Sequence, residues 1–224
     1  SMPSVFRNLR ISHRLYSLVG MLVVFIGILG AVGVYTMSVI GHELEEVAHR
    51  DLPLNGILEK ITQHQLEQAI LMEKALRIAN ISAHDKSETF ESVRAHFTEV
   101  AHLTDDEIAT AHQMVKDFLA GELSDAARTE FEKVLIALER IEKEHLDYEL
   151  HIEEIFDQVT TGNYDAATFE QAVIKVEEEQ NVLDHEVEAL LSEVSAFTRA
   201  SMEVALQDEI RGQTMIAILS SAAT

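Results

Sequence analysis

The sequence has no cysteine, no tryptophan and only two prolines, Pro3 and Pro53. Without thiols there are no disulfides and no thiolate metal sites, so the chain is held by packing, hydrogen bonds or ions bound through nitrogen and oxygen. The scarcity of proline leaves long stretches in which nothing interrupts a helix. Positive charge is also scarce, with 17 Lys and Arg against 39 Asp and Glu and a formal net charge of −22. That balance excludes nucleic acid as a partner, because the cationic footprint that neutralises phosphates is missing, and anionic lipid headgroups would repel such a surface. No strand alternation, nucleophile constellation, Gly-rich phosphate loop or cofactor fingerprint occurs.

What is present begins with Leu15–Gly41, LYSLVGMLVVFIGILGAVGVYTMSVIG, without a formal charge. At 1.5 Å per residue a hydrocarbon core of about 30 Å needs about 20 apolar residues, so this segment reads as a membrane span. The competing reading, a cleaved signal peptide, requires an apolar core of about 7 to 15 residues and a small-residue cleavage pattern, which does not stand out here. Arg7, Arg10 and Arg14 precede the span, and Glu43, Glu45 and Glu46 follow it. The positive-inside rule places residues 1–14 in the cytoplasm and the rest, from 42 onward, outside. Residues 42–211 hold 14 Lys and Arg and all 39 Asp and Glu, a balance of 14 − 39 = −25. About 170 residues suffice for one domain with its own core.

Beyond the span the periodicity stays helical. A first run carries Ile57, Ile61, His64, Leu71, Ala75 and Ile78, with Asp51 as its expected cap and Pro53 in its first turn. After a break at SAHDKS, a second helix is expected from about Glu88 to Leu119, with Phe90, Val93, Phe97, Val100, Leu103, Ala111, Met114 and Phe118 on its stripe. The third starts at Ser124 and Asp125 and carries Phe131, Leu135, Leu138, Ile141, His145, Tyr148, Ile152, Ile155 and Val159 up to the TTGN stop. The fourth starts near Asp165 and carries Phe169, Val173, Val176, Leu183, Val187, Leu190, Val194 and Phe197. Four amphipathic helices on short loops bury their stripes against one another. The expected fold is therefore all-α, an antiparallel up-down-up-down four-helix bundle over 42–211, continuous with the N-terminal transmembrane helix. Residues 212–224 are uncharged and read as the start of a second, truncated transmembrane helix.

The stretches DLPLNGILEKITQHQLEQAILMEKALR, IEKEHLDYELHIEEIF and EEEQNVLDHEVEALLSEVSAFT, set behind a basic N-terminus and a span, resemble the sensor region of bacterial methyl-accepting chemotaxis proteins of the four-helix-bundle type. The resemblance covers nearly the whole chain. It implies a homodimer in the inner membrane, followed by a HAMP linker and a cytoplasmic domain that controls a histidine kinase. Such a receptor detects a small solute, a metal or a redox signal and is not an enzyme. Gly27 and Ala31 form a small-xxx-small pair of the kind that lets membrane helices approach closely.

Polar residues at core-facing positions are the informative exceptions. Reflecting His145 about the expected loops gathers His64 and Glu67, His96, Glu99 and His102, Glu142, and Glu179 at one level. Di-iron carboxylate bundles use Glu-x-x-His pairs to bridge two metals, and Glu99-Val-Ala-His102 and Glu142-Lys-Glu-His145 have that spacing. A di-iron or other transition-metal site is thus one reading of this layer, and a hydrated polar layer or charges facing a second subunit are others. The alternative function that accompanies a metal layer is a membrane-anchored ferritin-like di-iron protein, an oxidase or iron store. A structural spacer that binds nothing is a third reading.

Overall fold

A computed structural model of the chain describes residues 11–80 and 89–221, with side chains over 16–80 and 89–218. The early arginines Arg7 and Arg10, Pro3, Glu88 and the break expected at SAHDKS lie outside the described residues. Helix α1 is Ile11–Glu46, α2 Leu52–Asn80, α3 Phe90–Ala120, α4 Asp125–Thr161 and α5 Ala166–Ser221. Among the described residues there is no strand. Two units are resolved, one of residues 1–47 with 199–224 and the other of residues 48–198.

In the first unit α1 exposes its apolar side chains, with Leu18, Met21, Val23 and Ile26 each more than half open. Its helix is the one apolar and long enough to cross a membrane among the described residues, with a mean hydropathy of 2.5 over its best window. The end of α5 lies against it through small residues. A Cβ built on Gly212 would stand 2.1 Å from Thr36 Cγ2, so only glycine permits this approach.

The expected cap at Asp51 is not formed. Pro53 has no N–H to give and its ring crowds the carbonyl four residues back. The chain accommodates this by widening into a π-helical turn at Val47–Asp51 and continuing into α2. Asp51 is buried in that turn and accepts a hydrogen bond from Arg50 Nε at 2.8 Å.

The second unit contains α2, α3, α4 and the first part of α5, packed as a bundle. Thr89 and Ser92 form a reciprocal capping box at the start of α3, and Ser124 Oγ accepts from Ala127 N at the start of α4. Gly162 ends α4 at φ 66°, the left-handed conformation that glycine adopts without steric cost. Asp165 Oδ2 accepts from Thr168 N at 2.9 Å and so opens α5.

Buried positions recur three and four apart along each helix. On α3 they run Val93, Phe97, Val100, Thr104, Ile108, Ala111 and Val115, and on α4 Phe131, Val134, Leu138, Ile141, His145, Tyr148, Ile152 and Ile155. This is the seam spacing of helices packed at shallow angles. Leu103, expected on the stripe of α3, is 43% exposed because the seam passes through Thr104 beside it. Phe156 meets Phe90 and Phe97 edge-on, with centroids 5.6 and 5.4 Å away, and is fully buried. Phe156→Ala removes a ring clamped between α3 and α4, so urea unfolding is expected to show a loss of about 3–5 kcal/mol. A loss below about 1 kcal/mol would mean that this end of the core is not packed as described.

Candidate functional site

Few polar side chains enter the buried seam: Gln65 and Gln68 on α2, Thr104 on α3, His145 on α4 and Thr198 on α5, together with Asp51 in the π turn. Three of them, Gln68, Thr104 and His145, meet in one layer. His145 stands four residues after Ile141 and three before Tyr148, so the period of the helix carries it into the core with no exposed side-chain surface.

The hydrogens in this layer can be assigned from its bonds. Thr104 Oγ1 donates to the Val100 carbonyl at 2.9 Å, which leaves it to accept from Gln68 Nε2 at 3.2 Å. The Gln68 amide is thereby oriented with Oε1 toward His145 Nε2 at 3.1 Å. An amide oxygen only accepts, so Nε2 carries the hydrogen. The other ring nitrogen, Nδ1, faces Asp105 Oδ1 at 2.9 Å and Glu149 Oε1 at 3.7 Å. Burial holds the Glu149 carboxyl above its ordinary range; the His145 charge opposes that shift and the Asp105 charge adds to it. Glu149 Oε1 is shielded from solvent and has no hydrogen-bond partner. One ligand atom from each of Asp105, His145 and Glu149 fits within 4.8 Å of the others.

The other residues singled out in the sequence are distributed along the bundle. His64 Nδ1 stands 2.8 Å from Glu107, His96 is exposed and 3.4 Å from Glu67, and Glu99 and His102 are exposed. Glu142 lies 3.8 Å from His112 Nδ1, and Glu179 is 2.8 Å from His151 Nδ1. The two Glu-x-x-His pairs therefore do not converge. Of the eight, His145 alone sits in the buried layer, and its partners are Asp105, Glu149, Gln68 and Thr104. Glu149 was discoverable as the residue one turn beyond His145, and Gln68 and Thr104 as polar residues on the seam spacing. Asp105 depended on the register between α3 and α4. Between Ala120 and Asp125 the link offsets α4 along α3, and His145 falls level with Asp105 instead of Glu99.

A second acidic feature lies between α4 and α5. Glu144, Asp147, Lys175, Glu178, Glu179 and Val182 line an open groove of ≈ 390 Å³. At its edge the Glu144 carboxyl is pushed up to about 7 by burial first, then by the hydrogen bond and charge of Glu186, against the pull of Arg140 and Lys143. Arg140 Nε holds Glu186 at 3.0 Å.

Residues 8–200 match the family described as a four helix bundle sensory module for signal transduction. The chain belongs to that family. No match was found among curated proteins or among solved structures. The module is a sensory part of a chemoreceptor-type signalling protein, and its family is not a known enzyme family.

In this sensory module the raised Glu144 carboxyl makes stability depend on pH. The folded state keeps a proton up to about pH 7, whereas an ordinary carboxyl with a value near 4.5 has released it. Folding therefore takes up a proton in that interval, and stability must fall as pH rises through it. The urea midpoint is expected to drop between about pH 5 and about pH 8, with a smaller drop in Glu144→Gln. An equal slope in both proteins would show that the Glu144–Glu186 pair does not share a proton.

Proposed function

We propose that this module is the membrane-anchored input half of a receptor, with residues 15–41 crossing the inner membrane and residues 42–211 sampling the periplasm. Residues 212–224 then begin the return span, and residues 1–14 stay in the cytoplasm. The observation that carries this reading is the uncharged α1 segment with its apolar side chains turned outward, joined in sequence to a bundle of a sensory family. A water-exposed helix with Leu18, Met21, Val23 and Ile26 on its surface would be an aggregation hazard, whereas in lipid those side chains are solvated.

The stimulus on this reading is a small solute, a metal or a redox change, and the working form is a homodimer that passes the signal to kinase control in the cytoplasm. Binding biases one of two arrangements of α5 relative to α1, with a coupling on the order of 1–3 kcal/mol. The contact of Gly212 with Thr36 supports such a device, because two helices this close have few intermediate positions.

A periplasm-active reporter fused after Arg211 should be active, and the same reporter fused before Leu15 inactive. The reverse pattern would remove the receptor reading. The helix contact has its own check, made simple by the absence of native cysteine. A cysteine pair placed at Gly33 and Ile216, where a Cβ on Gly33 would stand 3.9 Å from Ile216 Cδ1, should be joined within one chain by a short bifunctional maleimide. Adding Gly212→Val should lower that yield several-fold, since its side chain needs space that Thr36 fills. Unchanged cross-linking would show that the two helices are not held together at Gly212.

A further inference from the structure

We propose that Asp105, His145 and Glu149 bind a divalent first-row transition-metal ion, with His145 Nδ1 as the nitrogen ligand and Gln68 as the residue that positions the imidazole. The argument starts from the Gln68–Thr104 relay. With the hydrogen fixed on Nε2, the neutral ring points the Nδ1 lone pair at two carboxylates, 2.9 Å from Asp105 Oδ1 and 3.7 Å from Glu149 Oε1. Lone pair against carboxylate is repulsive, so a cation belongs between them. A histidine ligand whose second nitrogen donates to a carbonyl oxygen is the usual outer-shell arrangement of a metal site, because it fixes tautomer and ring orientation together.

Two cations can satisfy that lone pair, a proton or a metal ion, and the geometry favours the metal. A proton on Nδ1 is satisfied by Asp105 at 2.9 Å and leaves Glu149 Oε1, 3.7 Å away, outside hydrogen-bond reach of the ring. A metal uses all three atoms. With metal–ligand bonds of roughly 2.1 Å, tetrahedral ligands stand roughly 3.4 Å apart, and the two observed separations bracket that figure. The donor set of one imidazole and two carboxylates suits Zn²⁺, Mn²⁺ or Fe²⁺ and has no sulfur to favour Cu⁺. Asp105 is 32% exposed at the side chain, which gives an ion a way in and leaves a fourth position for water. This set shares only His145 with a di-iron pattern, and one histidine with two carboxylates supports one metal ion instead of two. The binding claim is separate from the receptor reading, and either can fail alone.

The test uses the full chain in detergent, stripped with chelator and titrated with Zn²⁺ by calorimetry, with bound metal counted by elemental analysis. One Zn²⁺ per chain is expected, with a thermal midpoint that rises on binding. Asp105→Asn and Glu149→Gln keep side-chain shape and should each weaken binding at least about tenfold. Gln68→Met, which never touches the ion, should cost about 10- to 100-fold through loss of ring orientation. His96→Asn, at an exposed histidine–carboxylate pair, should change nothing. Helical circular dichroism without metal confirms that each variant is folded; should Gln68→Met fail there, the half-exposed Asp105 site still decides. Absence of stoichiometric Zn²⁺ overturns the proposal, and so does binding that survives Asp105→Asn and Glu149→Gln. If the melting temperature responds to pH but not to Zn²⁺ anywhere between about pH 6 and about pH 8, a proton occupies the position and the metal site does not exist.

Discussion

Most buried positions in this bundle follow the three-and-four spacing of the seam, and the rest of the structure follows from that constraint. An apolar side chain taken wholly out of water there contributes about 1.5–3 kcal/mol, and the seam is filled mainly by Leu, Ile, Val, Phe and Ala. A polar side chain on the seam gains none of this and costs about 1–3 kcal/mol if left without a partner. A polar residue avoids that cost by bringing its partner from a neighbouring helix at the same level, which Gln65 Nε2 and the Tyr148 hydroxyl do not do. His145 does so with Gln68 on α2 and Asp105 on α3, and Gln68 is completed by Thr104. Asn55 does so lower on α2, donating to Thr198 Oγ1 at 2.7 Å and accepting from Ser195 Oγ at 2.7 Å. Those two knots add directional bonds to a register that the apolar contacts already favour.

The same spacing explains what could be read from the sequence. The four helices, the stops around Gly121 and Gly162, and the burial of His145 all follow from local periodicity and cap chemistry. The α1 segment followed from length and charge alone. Asp105 was out of reach for a different reason. Which carboxylate meets His145 depends on the axial offset between α3 and α4, and that offset comes from the link between Ala120 and Asp125, which hydrophobic periodicity does not report. Asp51 is a related case. Sequence signals near Pro53 suggest the start of a helix, but a proline just after a helical run can equally be absorbed by a π turn, and the strength of α1 and α2 on either side decides for continuity.

The placement of the polar groups bears on how a module of this family could pass on a signal. The layer around His145 bonds α2, α3 and α4 to one another but not α5. One turn along α4 from His145 is Tyr148, whose ring centroid lies 6.5 Å from that of His145. Its hydroxyl is buried without a hydrogen-bond partner, and burial first, then the charge of Asp184 on α5, pushes its ionisation far out of range. A change at His145 that moved the Tyr148 ring would thus move an unsatisfied hydroxyl, where a small displacement can gain a hydrogen bond. The Asn55–Thr198–Ser195 knot lies about 20 Å further along α2, from residue 68 to residue 55 at 1.5 Å per residue. It is the point where α2 and α5 are most firmly tied.

A receptor needs only about 1–3 kcal/mol between its two states, which is the value of one or two buried hydrogen bonds. The apolar seam is a poor source of so small a difference, since sliding one core residue past another costs several kcal/mol at once. Hydrogen bonds between Asn, Ser and Thr side chains are better suited. A shift of α5 by less than 1 Å lengthens the 2.7 Å bonds of Asn55 without unpacking Val194 or Leu190. The bundle therefore holds its shape by apolar packing and keeps its adjustable contacts in two polar knots, one around a candidate binding site and one where α5 leaves the bundle. On the proposed reading, a ligand at the first would bias the second while the hydrophobic core stays intact.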